Sequence, residues 1–137
     1  MRAQEMVSTH PQVRGTTNDA LIRFIEACYD CTQTCTRCAD ACLGEEMVAK
    51  LTQCIRLNLD CADVCAATGL VTSPGTGSNE EVIRRMLAAC ATACRACGDQ
   101  CEKHASMHEH CSIRAEERRR CEQACRLALE SMGGRHQ

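Results

Sequence analysis

The sequence predicts an all-α protein, an antiparallel four-helix bundle with a cysteine-lined core. Three observations carry that prediction. Proline occurs only at Pro11 and Pro74, so the long stretches between and beyond them can run as uninterrupted helix. Within those stretches cysteines recur at steps of three and four, the spacing that keeps one narrow helix face toward its neighbours. Between the stretches stand Gly, Ser and Asn at positions suited to helix ends.

Residues 1–16 read as an N-terminal arm or a short docking helix, and residues 17–134 as the bundle. The first bundle helix is expected to open at Thr17 or Asn18 as N-cap and to close at Gly44, a residue suited to a left-handed C-terminal position. Glu45 and Glu46 then start a second helix, their charges favourable at its positive end, and Thr68-Gly69 closes it. The stretch 69–79, GLVTSPGTGSN, is the one long loop signal within the body of the chain. Ser78 with Glu81 forms a capping box for a third helix, Ser106 with Glu109 repeats it for a fourth, and Gly133-Gly134 ends that one. Each helix spans about 24 to 27 residues, or roughly 36 to 40 Å. The short connections near Gly44 and Ala105 make neighbouring helices antiparallel.

At 137 residues the chain is sized for one domain. It has no Trp, one Phe (Phe24) and one Tyr (Tyr29) against 15 Cys, so sulfur takes the place of the rings that usually fill a core. The start, MRAQEMVSTHPQVRG, carries neither an apolar h-region nor a twin arginine, which makes a reducing cytoplasm the expected compartment. Polar groups interrupt every apolar run well short of about 18 residues, which argues against a membrane span. The net charge of −2 comes from 16 basic and 18 acidic side chains scattered along the chain, which argues against nucleic acid as a partner.

Cys28, Cys31, Cys35, Cys38 and Cys42 are spaced three, four, three and four apart. The same steps reach back to Phe24 and Leu21, which close that end with ordinary apolar packing. The third helix repeats the seam with Cys90, Cys94, Cys97 and Cys101 behind Leu87 and Ile83. Cys54, Cys61 and Cys65 lie on the second helix after Met47 and Leu51, and Cys111, Cys121 and Cys125 on the fourth. Cysteine as a mere small hydrophobe predicts sulfur mixed with Leu and Ile along the seam. Four or five successive seam positions are cysteine instead, where larger apolar residues would pack better. A disulfide framework fits poorly with an odd count and with pairs on one helix face. The C-x-x-C pairs at 28/31, 35/38 and 94/97 lie inside helix patterns with no strand before them, unlike a thioredoxin site.

Thiolates select Cu(I), zinc or iron–sulfur clusters. No Cys precedes a Pro, so the bacterial ferredoxin-type run is not matched. Zinc held by four thiolates leaves a charge of −2 per ion, costly when repeated inside one bundle. Cu(I) takes two or three sulfurs, and bridging thiolates bring the ratio toward one copper per cysteine and the core toward neutrality. Pairs such as Cys31/Cys35, Cys38/Cys42, Cys61/Cys65, Cys90/Cys94, Cys97/Cys101 and Cys121/Cys125 can each pinch an ion on one helix. Multiple Cu(I) ions per chain are therefore the expected cargo.

The runs CYDCTQTCTRCADAC from Cys28 to Cys42, CADVC from Cys61, CATACRACGDQC from Cys90 to Cys101, and HC at 110–111 through RCEQACR at 120–126 resemble the cytosolic copper storage proteins. The resemblance covers roughly residues 17 to 132. It implies a four-helix bundle that packs Cu(I) along its interior, a homotetramer, and storage rather than turnover. The chain departs from that pattern on the fourth helix, where seam positions 114 and 118 are arginine. The expectation is that Arg114 and Arg118 tilt outward onto the solvated face with Arg119 and Arg120; the alternative puts two guanidinium groups in the metal tube.

One pole of the bundle collects Met47, Cys54, Asn58, Cys101, His104, Met107, His108, His110 and Cys111. His104 and His108 continue the third-helix seam beyond Cys101 and are the expected uptake ligands, ahead of His110 and Met107. Copper ions are the expected partners, with copper donor or acceptor proteins or small thiols. A zinc-binding structural module and a thiol-based redox or metal-sensing protein are the competing functions. Outward apolar residues Ile22, Ile25, Ile55, Leu59 and Leu127 are candidates for a subunit interface or for packing between helices.

Overall fold

The computed structural model describes residues 2–11, 18–73 and 79–133. A short helix α1 (Ala3–Ser8) precedes four long ones, α2 (Asp19–Leu43), α3 (Thr52–Thr72), α4 (Glu80–Glu102) and α5 (Glu109–Gly133). The long helices pack in a ring, α2 on α3, α3 on α4, α4 on α5 and α5 on α2, and α1 lies against α2. Cross-helix contacts run antiparallel throughout. The start of α2 meets the end of α5 through Asn18 and Ser131, and Cys54 and Cys65 of α3 meet Cys101 and Cys90 of α4.

Of the two expected caps, Asn18 is the one that caps α2, its side-chain oxygen accepting from Leu21 N at 3.2 Å. Other boundaries differ. Gly44 has φ −86° and ψ −6°, an ordinary helical conformation and not the left-handed one. The second bundle helix does not start at Glu45 and Glu46; a 3-10 turn, Val48–Leu51, intervenes and α3 begins at Thr52. Nor does it stop at Gly69. It runs on to Thr72, with the Thr68 and Thr72 hydroxyls donating to the carbonyls of Val64 and Thr68, both at 2.6 Å. Gly69 serves packing, since a Cβ there would meet Cys28 Cβ at 3.2 Å and Tyr29 at 3.4 Å.

Of the two expected capping boxes, Ser78 lies outside the described residues, and Glu81 pairs with Arg85 at 2.9 Å. Ser106 caps nothing, because α5 starts only at Glu109, after a turn through residues 103–107. The His108 carbonyl there accepts from Cys111 N and Ser112 N. One pole of the core is closed by Phe24, 1% exposed, with Ile83, Leu87, Ala128 and Met132, all buried. Ile22 and Ile25 are buried rather than outward, which removes them from any outer face.

Candidate metal centre

All 15 cysteines are free and buried. The Sγ atoms of Cys31, Cys35, Cys61, Cys65, Cys90 and Cys94 form a connected array at contact distance. Cys31 lies 3.7 Å from Cys35, 3.7 Å from Cys61 and 3.9 Å from Cys94. Cys61 also meets Cys65 at 3.8 Å and Cys94 at 3.7 Å, and Cys65 meets Cys94 at 3.7 Å and Cys90 at 3.5 Å. Toward the other pole Cys54 and Cys101 stand 3.5 Å apart. With a metal–thiolate bond of about 2.3 Å, two sulfurs on a three-coordinate ion sit roughly 4.0 Å apart and on a tetrahedral ion roughly 3.8 Å. The array thus accepts ions with small side-chain shifts.

Three all-cysteine groups have their ligand atoms within 4.8 Å of one another: Cys31–Cys61–Cys65–Cys94, Cys38–Cys42–Cys54–Cys111, and Cys35–Cys61–Cys97. Cys61 belongs to two of them, so one sulfur is placed to bridge. Cys28, Cys31, Cys65, Cys90, Cys94, Cys121 and Cys125, with Phe24 and Ala27, line about 150 Å³ of interstitial space too narrow for water. Burial pushes the Cys42 thiol up to about 12, with Cys38 adding to the shift, and burial raises Cys111 as well.

The mouth pole is built around a residue that the sequence pattern marked only as a helix-start acid. The Glu45 carboxylate accepts from His108 Nδ1 and from His110 Nε2 at 3.4 Å. With its Nε2 proton held by Glu45, His110 turns Nδ1 toward Cys38 Sγ at 3.4 Å and Cys111 Sγ at 3.6 Å. The His108 and His110 rings stack 5.5 Å apart. His104 Nε2 and His108 Nε2 are buried without a hydrogen-bond partner, so each has a site for an ion or a water. The histidine reaching the first sulfurs is therefore His110, ranked behind His104 and His108 on spacing alone.

The expectation for the two arginines is half corrected. Arg118 stays off the axis, its stem across Gly98 and its guanidinium on Asp99 and on Glu102 at 3.1 Å. Arg114 enters the core: it is 0% exposed, Nε donates to Cys35 Sγ at 2.9 Å and Nη2 to Cys61 Sγ at 3.3 Å. Burial opposes its charge, but the sulfurs of Cys35, Cys31, Cys97 and Cys61 outweigh burial and hold it protonated. Asn58, also fully buried, accepts from Cys97 Sγ at 3.0 Å and donates to the Cys54 carbonyl at 2.9 Å.

A family profile described as copper storage protein matches residues 17–130. The chain belongs to the copper storage protein family. Among similar solved structures, one of the Streptomyces lividans copper storage protein Ccsp, loaded with 10 copper equivalents, is 52% identical with a TM-score of 0.89, covering 93% of this chain and 98% of that one. A second, of the cytosolic copper storage protein from the same organism with five coppers, is 57% identical with a TM-score of 0.80, covering 82% and 93%. The cysteine-rich protein YhjQ of Bacillus subtilis is 37% identical over 102 residues, 74% of this chain and 89% of the relative. The copper storage fold thus extends over most of the chain, and among the described residues no helix is long and apolar enough to cross a membrane.

Proposed function

We propose that this copper storage protein holds multiple Cu(I) ions on the thiolates of all 15 cysteines in the cytosol, the compartment described for the Streptomyces lividans protein. The observation that carries this is the sharing of sulfurs. Cys31, Cys61, Cys65 and Cys94 touch one another and further cysteines at 3.5–3.9 Å. Bridging thiolates hold monovalent ions with little net charge, whereas isolated tetrathiolate zinc sites would each bury two negative charges. The four-sulfur groups give zinc a geometry it accepts, so zinc is the second reading.

His104, His108 and His110 form the uptake mouth, with Glu45 orienting the last two and His110 passing ions to Cys38 and Cys111. Stored copper is exchanged with donor or acceptor proteins or small thiols, and the chain performs no turnover chemistry. Exposed Leu59, Leu70, Val82 and Ile113 supply apolar surface for the homotetramer that the resemblance implies.

Anaerobic titration of the reduced protein with Cu(I) and with Zn(II), then gel filtration and metal analysis, tests this. Retention of many copper equivalents at tetramer size is expected. One or two equivalents, or preference for zinc, contradicts storage.

A further inference from the structure

The cysteine tube has a polar waist. Around Cys35 and Cys97, α3 supplies Asn58 beside Cys61, and α5 supplies Arg114 in place of a sulfur. Mouthward lie Cys38, Cys42, Cys54 and Cys111, and inward lie Cys31, Cys61, Cys65 and Cys94. The route between them passes the Cys35–Cys61–Cys97 trio, and Arg114 donates to two of those three sulfurs, at 2.9 and 3.3 Å.

A guanidinium stays charged at every pH the protein meets. A Cu(I) ion approaching Cys35 or Cys61 therefore meets both an occupied lone pair and a like charge in a weakly screened interior. Nη1 of Arg114 has no partner, so the fork is held by its two sulfur contacts. Glu117 lies three residues further along α5, half-buried and 3.3 Å from Arg120, and offers a carboxylate to a guanidinium that leaves the sulfurs.

We propose that Arg114 is a movable plug at this waist, so that copper taken up at the mouth fills the outer cysteines first and reaches the inner ones only when Arg114 releases Cys35 and Cys61. The proposal rests on the storage reading. It makes Arg114 a residue that sets the order and rate of loading without being a ligand.

Stopped-flow loading of the reduced full chain with Cu(I), delivered anaerobically as its acetonitrile complex, tests this through the sulfur-to-copper charge-transfer absorption. The unaltered protein should load in a fast and a slow phase. Arg114→Leu, uncharged and unable to coordinate copper, should speed the slow phase by roughly tenfold to a hundredfold, as expected when a charge-assisted hydrogen bond need not be broken. Arg114→Lys should keep a slow phase but quicken it severalfold, because one ammonium cannot hold both sulfurs in fork geometry. If Arg114→Leu loses its helical circular dichroism, Arg114→Lys carries the test alone.

A single phase in the unaltered protein, or a slow rate unchanged in the foldable variant, overturns the plug. Copper retained at the end of loading is measured separately. A retention of one or two equivalents refutes storage, and with it the plug, whereas full retention with unchanged rates refutes the plug alone.

Discussion

Gly98→Ala should destabilise the apo protein even though it replaces a poor helix former with the best one. A Cβ at Gly98 would lie 2.6 Å from Arg118 Cβ and 2.7 Å from its Cγ. Rotating the Arg118 side chain clears the outer carbons but not Cβ, which moves only if α4 and α5 separate. The gain in helix propensity is about 1 kcal/mol, while forcing extra volume into a packed contact costs about 1–3 kcal/mol. The displaced guanidinium also loosens its exposed contacts with Asp99 and Glu102, each worth about 0.2–1 kcal/mol. The balance is a loss of about 1–2 kcal/mol, or roughly 4–8 °C in Tm for a chain of this size. Thermal unfolding of the reduced apo protein followed by circular dichroism reads it directly. Gly44→Ala is the control: its Cβ would meet only Ala41 O at 3.5 Å at a helical φ of −86°, so it should be neutral or stabilising. Adding Arg118→Ala to Gly98→Ala should not restore stability, because Cβ remains. A Gly98→Ala protein as stable as the parent would refute this account of the α4–α5 contact.

Cys42, raised to about 12, is protonated at neutral pH, so each Cu(I) it takes releases a proton. Copper affinity at the mouth group should fall about tenfold per pH unit of acidification for each proton displaced. Competition with a Cu(I) chelator between about pH 6 and 9 measures this, and a flat profile contradicts it. The same shift bears on the apo fold: above its ordinary value of 9.0 the unfolded chain gives up a proton that the folded Cys42 keeps until about 12. Its stabilising contribution is thus present below pH 9 and lost across that window, so the urea midpoint should drop from about pH 8 to about pH 10. Phe24→Ala opens the plugged pole and should cost about 3–5 kcal/mol by urea denaturation of the apo protein. A loss under about 1 kcal/mol would show that Phe24 does not close the core.

The bundle and its inward sulfurs were legible because both follow from local periodicity. Steps of three and four from Leu21 to Cys42 place Phe24 and five cysteines on one stripe, and all six of those side chains are buried. The Asn18 cap was legible for the same local reason. What escaped depends on contacts distant in sequence. Glu45 reads as a helix-start acid until the turn before α3 brings it to His108 and His110. Thr68-Gly69 reads as a stop because the approach of Cys28 and Tyr29 that needs a glycine is invisible along the chain. Arg114 was expected outside because burying a guanidinium is costly without acceptors. The acceptors are sulfurs from two other helices, and only the fold brings Cys35 and Cys61 to it.

The central claim is that sulfurs from all four long helices share copper along one axis. Anomalous diffraction at the copper edge from crystals of the Cu(I)-loaded protein tests it most directly. The account predicts a row of copper peaks running inward from the Cys38–Cys42–Cys54–Cys111 group to the Cys31–Cys61–Cys65–Cys94 group, with single sulfurs bonded to more than one ion. Copper confined to surface histidines, or an axis without peaks between native cystine pairs, would contradict it.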